Sequence, residues 1–136
     1  MTTHNDKQSA QNHLPFRLSA KTVHGEQRGR ALGYPTINVS LSDVPTTLAH
    51  GIYAGWSDVN GVRYRAAVHY GPRPVFGAGV AFEIHLLDTV LDAFPASVSI
   101  ELIERLRDVE NFPDAESLKS AIADDVARTR AILGAA

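Results

Sequence analysis

The densest concentration of chemically useful residues is His24 to Val39, HGEQRGRALGYPTINV, where Gly25, Gly29 and Gly33 recur with Arg28 and Arg30 between them. Glycines this close together let a backbone pass near a ligand and turn its N–H groups inward, which suits a polyphosphate. No Gly-Lys-Ser/Thr follows and the Gly-x-Gly-x-x-Gly order is absent, so neither a Walker loop nor a dinucleotide fingerprint is present. On spacing alone, a turn-rich loop is the plainer reading. Directly afterwards, Thr36 and Asn38 alternate, so an extended segment points them the same way. A hydroxyl and an amide carbonyl are hard, neutral oxygen ligands suited to Mg²⁺ already carried on nucleotide phosphates. A strand start whose polar side chains satisfy their local backbone is the simpler alternative. Glu83 stands in the apolar run Val80–Leu87 (VAFEIHLL), on the same face as His85. It is either a solvent-facing residue of a half-buried strand, which is the commoner case, or a base placed to take a proton from an alcohol during phosphoryl transfer. The histidines (His4, His13, His24, His50, His69, His85) show no metal-ligand spacing, and none is read as a ligand. Arg105 and Arg107 flank Leu106 and read as a solvated, charged strand end.

The elements that must hold these residues are mostly strands. Gly51–Val59 and Val62–Tyr70 are β-rich runs separated by Asn60-Gly61, the strongest short hairpin signal, because both residues tolerate the positive φ of a type I′ turn. Further strands are expected over about Phe16–His24, Val80–Leu87 and Ser97–Leu106, the last with Val98, Ile100 and Leu102 alternating. After Pro113 the period changes: Leu118, Ile122 and Val126 recur at helical spacing through Leu133. Asp114 suits the N-cap, Glu116 the first turn and Gly134 the stop. Five or more antiparallel strands and a terminal helix imply a mainly β fold, a small closed barrel with the helix over it, since closure removes exposed strand edges.

Composition bounds the possibilities. The 136 residues are 44% hydrophobic and 21% charged, with net charge −2, the balance of a globular domain with no basic field for nucleic acid or anionic membrane. Of the 13 basic residues only Lys7, Lys21 and Lys119 are lysines, a bias toward forked contacts that genome composition also produces. With no cysteine, disulfides and thiolate metal sites are excluded. No apolar run approaches the roughly 20 residues of a membrane span. Residues 1–15 are polar, lack a signal peptide's apolar core and read as a disordered leader; residues 16–136 read as one domain. The expectation is a cytoplasmic monomer with no nucleic-acid or membrane partner.

Taken in order, these pieces resemble the riboflavin kinase (flavokinase) family. VHGEQRGRALGYPTINV is similar to its glycine-rich flap running into a Pro-Thr-Ala-Asn motif, with Ile37 in place of the alanine. The likeness continues through Gly51-Ile52-Tyr53-Ala54, the segment GPRPVF (Gly71–Phe76) and FEIHLLD, then Leu106, Arg107, Asn111 and Phe112, and ends in ESLKSAIADDVARTRAIL. It covers about Leu18 to Leu133. The resemblance implies a six-stranded antiparallel closed Greek-key β-barrel with a long C-terminal α-helix. It implies ATP:riboflavin 5′-phosphotransfer yielding FMN, with ATP and riboflavin as small-molecule partners and Mg²⁺ as cofactor. Thr36 and Asn38 would hold the Mg²⁺, with Gly25, Gly29, Arg30, Gly33 and Pro35 around the nucleotide. Glu83 would be the catalytic base, and Arg107, Asn111 and Phe112 would lie beside the flavin. The family's bacterial members usually carry an adenylyltransferase module as well; the expectation here is a kinase, either stand-alone or an excised domain, that does not make FAD. An alternative is a catalytically decayed flavin- or nucleotide-binding module on the same barrel, against which the retention of Thr36, Asn38 and Glu83 weighs. A single-stranded nucleic-acid barrel would need a basic groove with interleaved aromatics, which net charge −2 and 7% aromatic residues do not supply.

Overall fold

The computed structural model describes residues 14–23, 35–72, 79–91 and 93–134. The leader assigned to residues 1–15 therefore falls almost wholly outside the described residues, as do Gly25, Gly29, Arg30 and Gly33. Among the described residues the strands are β1 (Phe16–Val23), β2 (Thr36–Val39), β3 (Gly51–Val59), β4 (Val62–Pro72), β5 (Val80–Leu86) and β6 (Ser97–Arg107), with a 3₁₀ turn at Leu41–Asp43 and the helix α1 (Ala115–Leu133). They close in the order β1-β2-β5-β4-β3-β6, every pairing antiparallel. β3, β4 and β5 form a meander and β6 returns to lie beside β3, a Greek key. The expected mainly β, closed six-stranded barrel with a C-terminal helix is what forms.

The β3–β4 hairpin turns where Asn60 (φ 50°) and Gly61 (φ 83°) take left-handed conformations, leaving Val59 opposite Val62. Side chains alternate across each strand. The inward set includes Ile37 and Val39 of β2, Tyr53 and Val59 of β3, Val68 and Tyr70 of β4, Phe82, Ile84 and Leu86 of β5, and Val98, Ile100 and Leu102 of β6. Burial of each large aliphatic or aromatic side chain of this set stabilises the barrel by roughly 1.5–3 kcal/mol.

This inward set dictates what faces out. Thr36 and Asn38, Ile52 and Ala54, Ala67 and His69, and Glu83 and His85 all lie on the outer surface of the barrel. Two register shifts along β3–β6, between Ile52 and Tyr53 and between Ala54 and Gly55, change the phase of β6. Below them Leu102 belongs to the barrel core. Above them Leu106 joins Ile52 and Ala54 in a second, outer cluster with Val109 and Ile132, and Arg107 pairs across from Ile52. The helix covers this outer cluster. Asp114 caps α1 by accepting from the Ser117 N–H at 2.8 Å, and Gly134 ends it at φ 90°. Val126 is buried as the periodicity requires, but so are Asp125 and Thr129 on the same face. Among the described residues no helix is long and apolar enough to cross a membrane.

Candidate active site

The ladder pairings bring the separate sequence candidates into two cross-strand rows. Asn38 on β2 pairs with Glu83 on β5, which pairs with His69 on β4; one step along, Thr36 pairs with His85, which pairs with Ala67. Both rows lie on the outer face, and every side chain in the β2 and β5 part is buried: Thr36 1%, Asn38 5%, Glu83 5% and His85 8% exposed. Glu83 is thus not the solvent-facing residue that its polarity alone suggests.

Within the rows, Thr36 Oγ1 and His85 Nδ1 share a 3.3 Å hydrogen bond, and His85 Nε2 lies 4.0 Å from Glu83 Oε1. Burial, with His69 nearby, pushes the His85 pKa down to about 4. Burial lowers His69 also, partly opposed by Glu83 and by hydrogen bonds to the Gly71 and Pro72 carbonyls at 3.2 and 3.0 Å. At neutral pH both imidazoles are therefore uncharged. With both carbonyls as acceptors, His69 Nε2 carries the proton. The Asn38 carbonyl oxygen, Oδ1, is buried and makes no hydrogen bond among the described residues. A buried orphan oxygen costs free energy unless something binds it, which makes it a candidate cation ligand.

Between the barrel and α1 is a cavity with about 610 Å³ of space between atoms, its mouth included. Ile52, Ala67, His69, Glu83 and His85 form its floor, Val109, Glu110 and Phe112 one wall, and Leu118, Ile122 and Asp125 of α1 the roof. Arg107 also lines it. Its Nε and Nη2 donate to Asp125 Oδ1 and Oδ2, each at 2.8 Å, and its Nη1 donates to the Asp108 carbonyl at 3.0 Å. The Asp125 hydrogen bonds push the guanidinium pKa further up. Arg105 is equally engaged, donating to the His50 carbonyl at 2.6 Å and to Asp108 at 2.7 Å. The expected solvated strand end is instead a pair of anchored arginines, because α1 packs over the outer face that carries Arg107.

Of the residues singled out from the sequence, Thr36, Asn38 and Glu83 come together, and Arg107 and Phe112 reach the same cavity. Asn111 is exposed and is not among the cavity's lining residues. Pro35 precedes β2, its carbonyl accepting from the Leu86 N–H at 3.0 Å. Sequence reasoning passed over Asp125 and gave His69 no part in the site. An acidic residue on the apolar face of a helical repeat was the available signal for Asp125, since Leu118, Ile122 and Val126 already marked that face.

Fold and site together define a closed antiparallel barrel whose outer face, roofed by a C-terminal helix, holds a mostly apolar pocket with a carboxyl on its floor and oxygen donors one strand away. A family model, Flavokinase (riboflavin kinase), matches residues 12–133. A bifunctional riboflavin kinase/FMN adenylyltransferase of Pseudomonas fluorescens is 38% identical over 122 residues, covering 87% of this chain and 38% of the relative. The protein of the same description from Escherichia coli K12 is 32% identical over 124 residues, 88% of this chain and 39% of the relative. Among solved structures, riboflavin kinase from Trypanosoma brucei superposes with a TM-score of 0.59 at 25% identity, covering 86% of this chain and 78% of that one. A Streptococcus pneumoniae structure described as a macrolide-efflux protein gives 0.72 at 30% identity, covering 85% of this chain and 38% of that one. The chain belongs to the riboflavin kinase (flavokinase) family. It spans 38–39% of the length of the two bifunctional relatives.

Proposed function

We propose that this chain is an ATP:riboflavin 5′-phosphotransferase, moving the γ-phosphoryl group of ATP to the terminal ribityl hydroxyl of riboflavin and releasing FMN and ADP. The observation that carries the reading is Glu83: a buried carboxyl on the cavity floor, directly across the ladder from Asn38. In this reading Glu83 accepts the hydroxyl proton as the ribityl oxygen bonds to phosphorus and the bond to ADP breaks. Thr36 and Asn38 would hold Mg²⁺, a role that fits the buried Asn38 Oδ1, which makes no hydrogen bond among the described residues, and the adjacent buried Thr36 hydroxyl. When bound, that ion neutralises charge on the phosphoryl oxygens and the leaving group. Gly25, Gly29, Arg30, Gly33 and Pro35 complete the nucleotide end. Arg107, Phe112 and Asn111 belong to the flavin end, where the apolar walls exclude water from a flat ring. Neutral His85 orients the Thr36 hydroxyl through their shared hydrogen bond. Phosphoryl transfer is mainly positioning and charge neutralisation, so these few groups suffice. The chain is taken to act in the cytoplasm as a monomer.

The test is direct: purified chain supplied with riboflavin, ATP and Mg²⁺ forms FMN and ADP in equal amounts. Riboflavin binding without any FMN would overturn the transferase and leave a flavin-binding module.

A further inference from the structure

Asp125 sits in a place that stability alone does not account for. It is 4% exposed, on the helix face that packs against the barrel, and its carboxyl takes both arms of the Arg107 fork. Its backbone carbonyl accepts the Thr129 hydroxyl at 2.8 Å, so the helix is fixed at this turn. An apolar pair of similar volume would hold α1 to the barrel at least as firmly as a buried ion pair, because desolvation offsets the attraction. What the ion pair adds is direction. A bidentate fork fixes the plane and the height of the guanidinium, which an aliphatic contact does not.

The fixed guanidinium in turn organises the wall of the cavity. From Arg107 the Nη1 group donates to the Asp108 carbonyl and lies 3.6 Å from Glu110 Oε1, while the cation sits 5.8 Å above the Phe112 ring. One side chain thereby ties the end of β6, the segment 108–112 and the helix together. The ion pair is also a partition. On one side is the cavity that contains Glu83; on the other is a groove between α1 and β6 lined by Ala121, Asp124, Ala127 and Arg128, and Arg107, Glu110 and Asp125 line both.

We propose that Asp125 is a positioning residue for the acceptor end of the site: by clamping Arg107 it sets the wall carrying Val109, Glu110 and Phe112, and it closes the cavity against the outer groove. This rests on the riboflavin kinase reading above. Thr36 and Asn38 lie on β2, outside the set of residues the clamp touches, so the nucleotide end is independent of it. Losing the second arm of the fork frees the guanidinium, loosens the wall and admits water from the groove, weakening acceptor binding selectively.

The experiment compares the full chain with Asp125→Asn and Arg107→Lys, measuring KM for riboflavin, KM for Mg-ATP, kcat and thermal unfolding. Asp125→Asn is expected to raise the riboflavin KM about tenfold while the Mg-ATP KM stays within about twofold. Arg107→Lys keeps the charge without the fork and should show the same selective pattern. A riboflavin KM that does not move, or two KM values rising together with a fall in unfolding temperature, overturns the proposal and leaves a purely structural ion pair. If Asp125→Asn fails to fold, Arg107→Lys alone decides: a selective rise supports the clamp and an unchanged riboflavin KM refutes it. Wild-type chain that forms no FMN defeats the kinase reading instead. Riboflavin affinity measured by flavin fluorescence then decides the clamp, and an affinity equal in wild type and variants overturns it.

Discussion

Replacing Glu83 by glutamine removes the proposed proton acceptor while keeping the side chain's size and shape. The amide has the same shape, so the cavity floor stays filled and the Asn38–Glu83–His69 row keeps its backbone pairing. At 5% exposure the position is shielded from bulk water, leaving no ready substitute to collect the ribityl proton. The flanking His85 imidazole could only stand in through its Nε2, which lies 4.0 Å from Glu83 Oε1 and belongs to a ring pushed down to about 4, a weak base. The full contribution of a general base is therefore lost, about 10²-fold or more in kcat. At about 1.4 kcal/mol per decade this corresponds to at least roughly 3 kcal/mol of transition-state stabilisation. FMN formation followed by chromatography gives kcat, and quenching of flavin fluorescence gives riboflavin affinity, which should stay within about threefold because the ring contacts are untouched. A variant turning over within about threefold of wild type would refute the assignment of Glu83 as base.

Other outcomes follow from the same geometry. Thr36→Ala and Asn38→Ala should each raise the Mg²⁺ concentration for half-maximal rate about tenfold, the scale of one lost charge-assisted contact of ~1.5 kcal/mol; an unchanged Mg²⁺ dependence would remove that residue from the ligand set. Gly55→Ala drives its new Cβ into the Glu101 carbonyl oxygen, with the Glu101 carbonyl carbon and Leu102 Cα each at 3.2 Å. Because these are backbone atoms, β3 and β6 must separate, at a cost of about 2–3 kcal/mol and a fall in Tm of about 10 °C by calorimetry. For acid stability, His69 and His85 have folded pKa values below the unfolded value near 6.5, so the unfolded chain binds more protons in that window. Stability is then fully present above about pH 6.5 and falls as the pH drops below it, by up to about 1.4 kcal/mol per unit for each imidazole, the His85 share running down to about pH 4; His85→Gln should flatten the dependence of Tm on pH.

Local pattern made much of the scaffold legible. Asn60-Gly61 specifies a hairpin because few residues accept two successive positive φ angles, and the β3–β4 turn is where they place it. Asp114 marks the start of α1 because its carboxyl can satisfy a helix N–H, and it does so at Ser117. Period-two alternation put Thr36 with Asn38 and Glu83 with His85 on common faces. Period 3.6 found the apolar side of α1 but treated it as wholly apolar, so Asp125 was passed over: hydrophobic spacing carries no information about a buried charge whose partner is 18 residues away.

Strand periodicity, turn chemistry and helix capping thus settle which segments form and which side chains share a face, because each depends on a handful of neighbouring residues. Which strands become neighbours is set by barrel closure. Only the insertion of β5 between β2 and β4 places Asn38, Glu83 and His69 in one row. Tertiary packing also takes Arg107 from a solvated strand end to the partner of Asp125, because α1 lies over the outer face that Arg107 shares with Ile52. Whether Glu83 faced water or was buried was likewise decided by tertiary packing, since a residue's exposure belongs to whatever covers it and not to the residue itself.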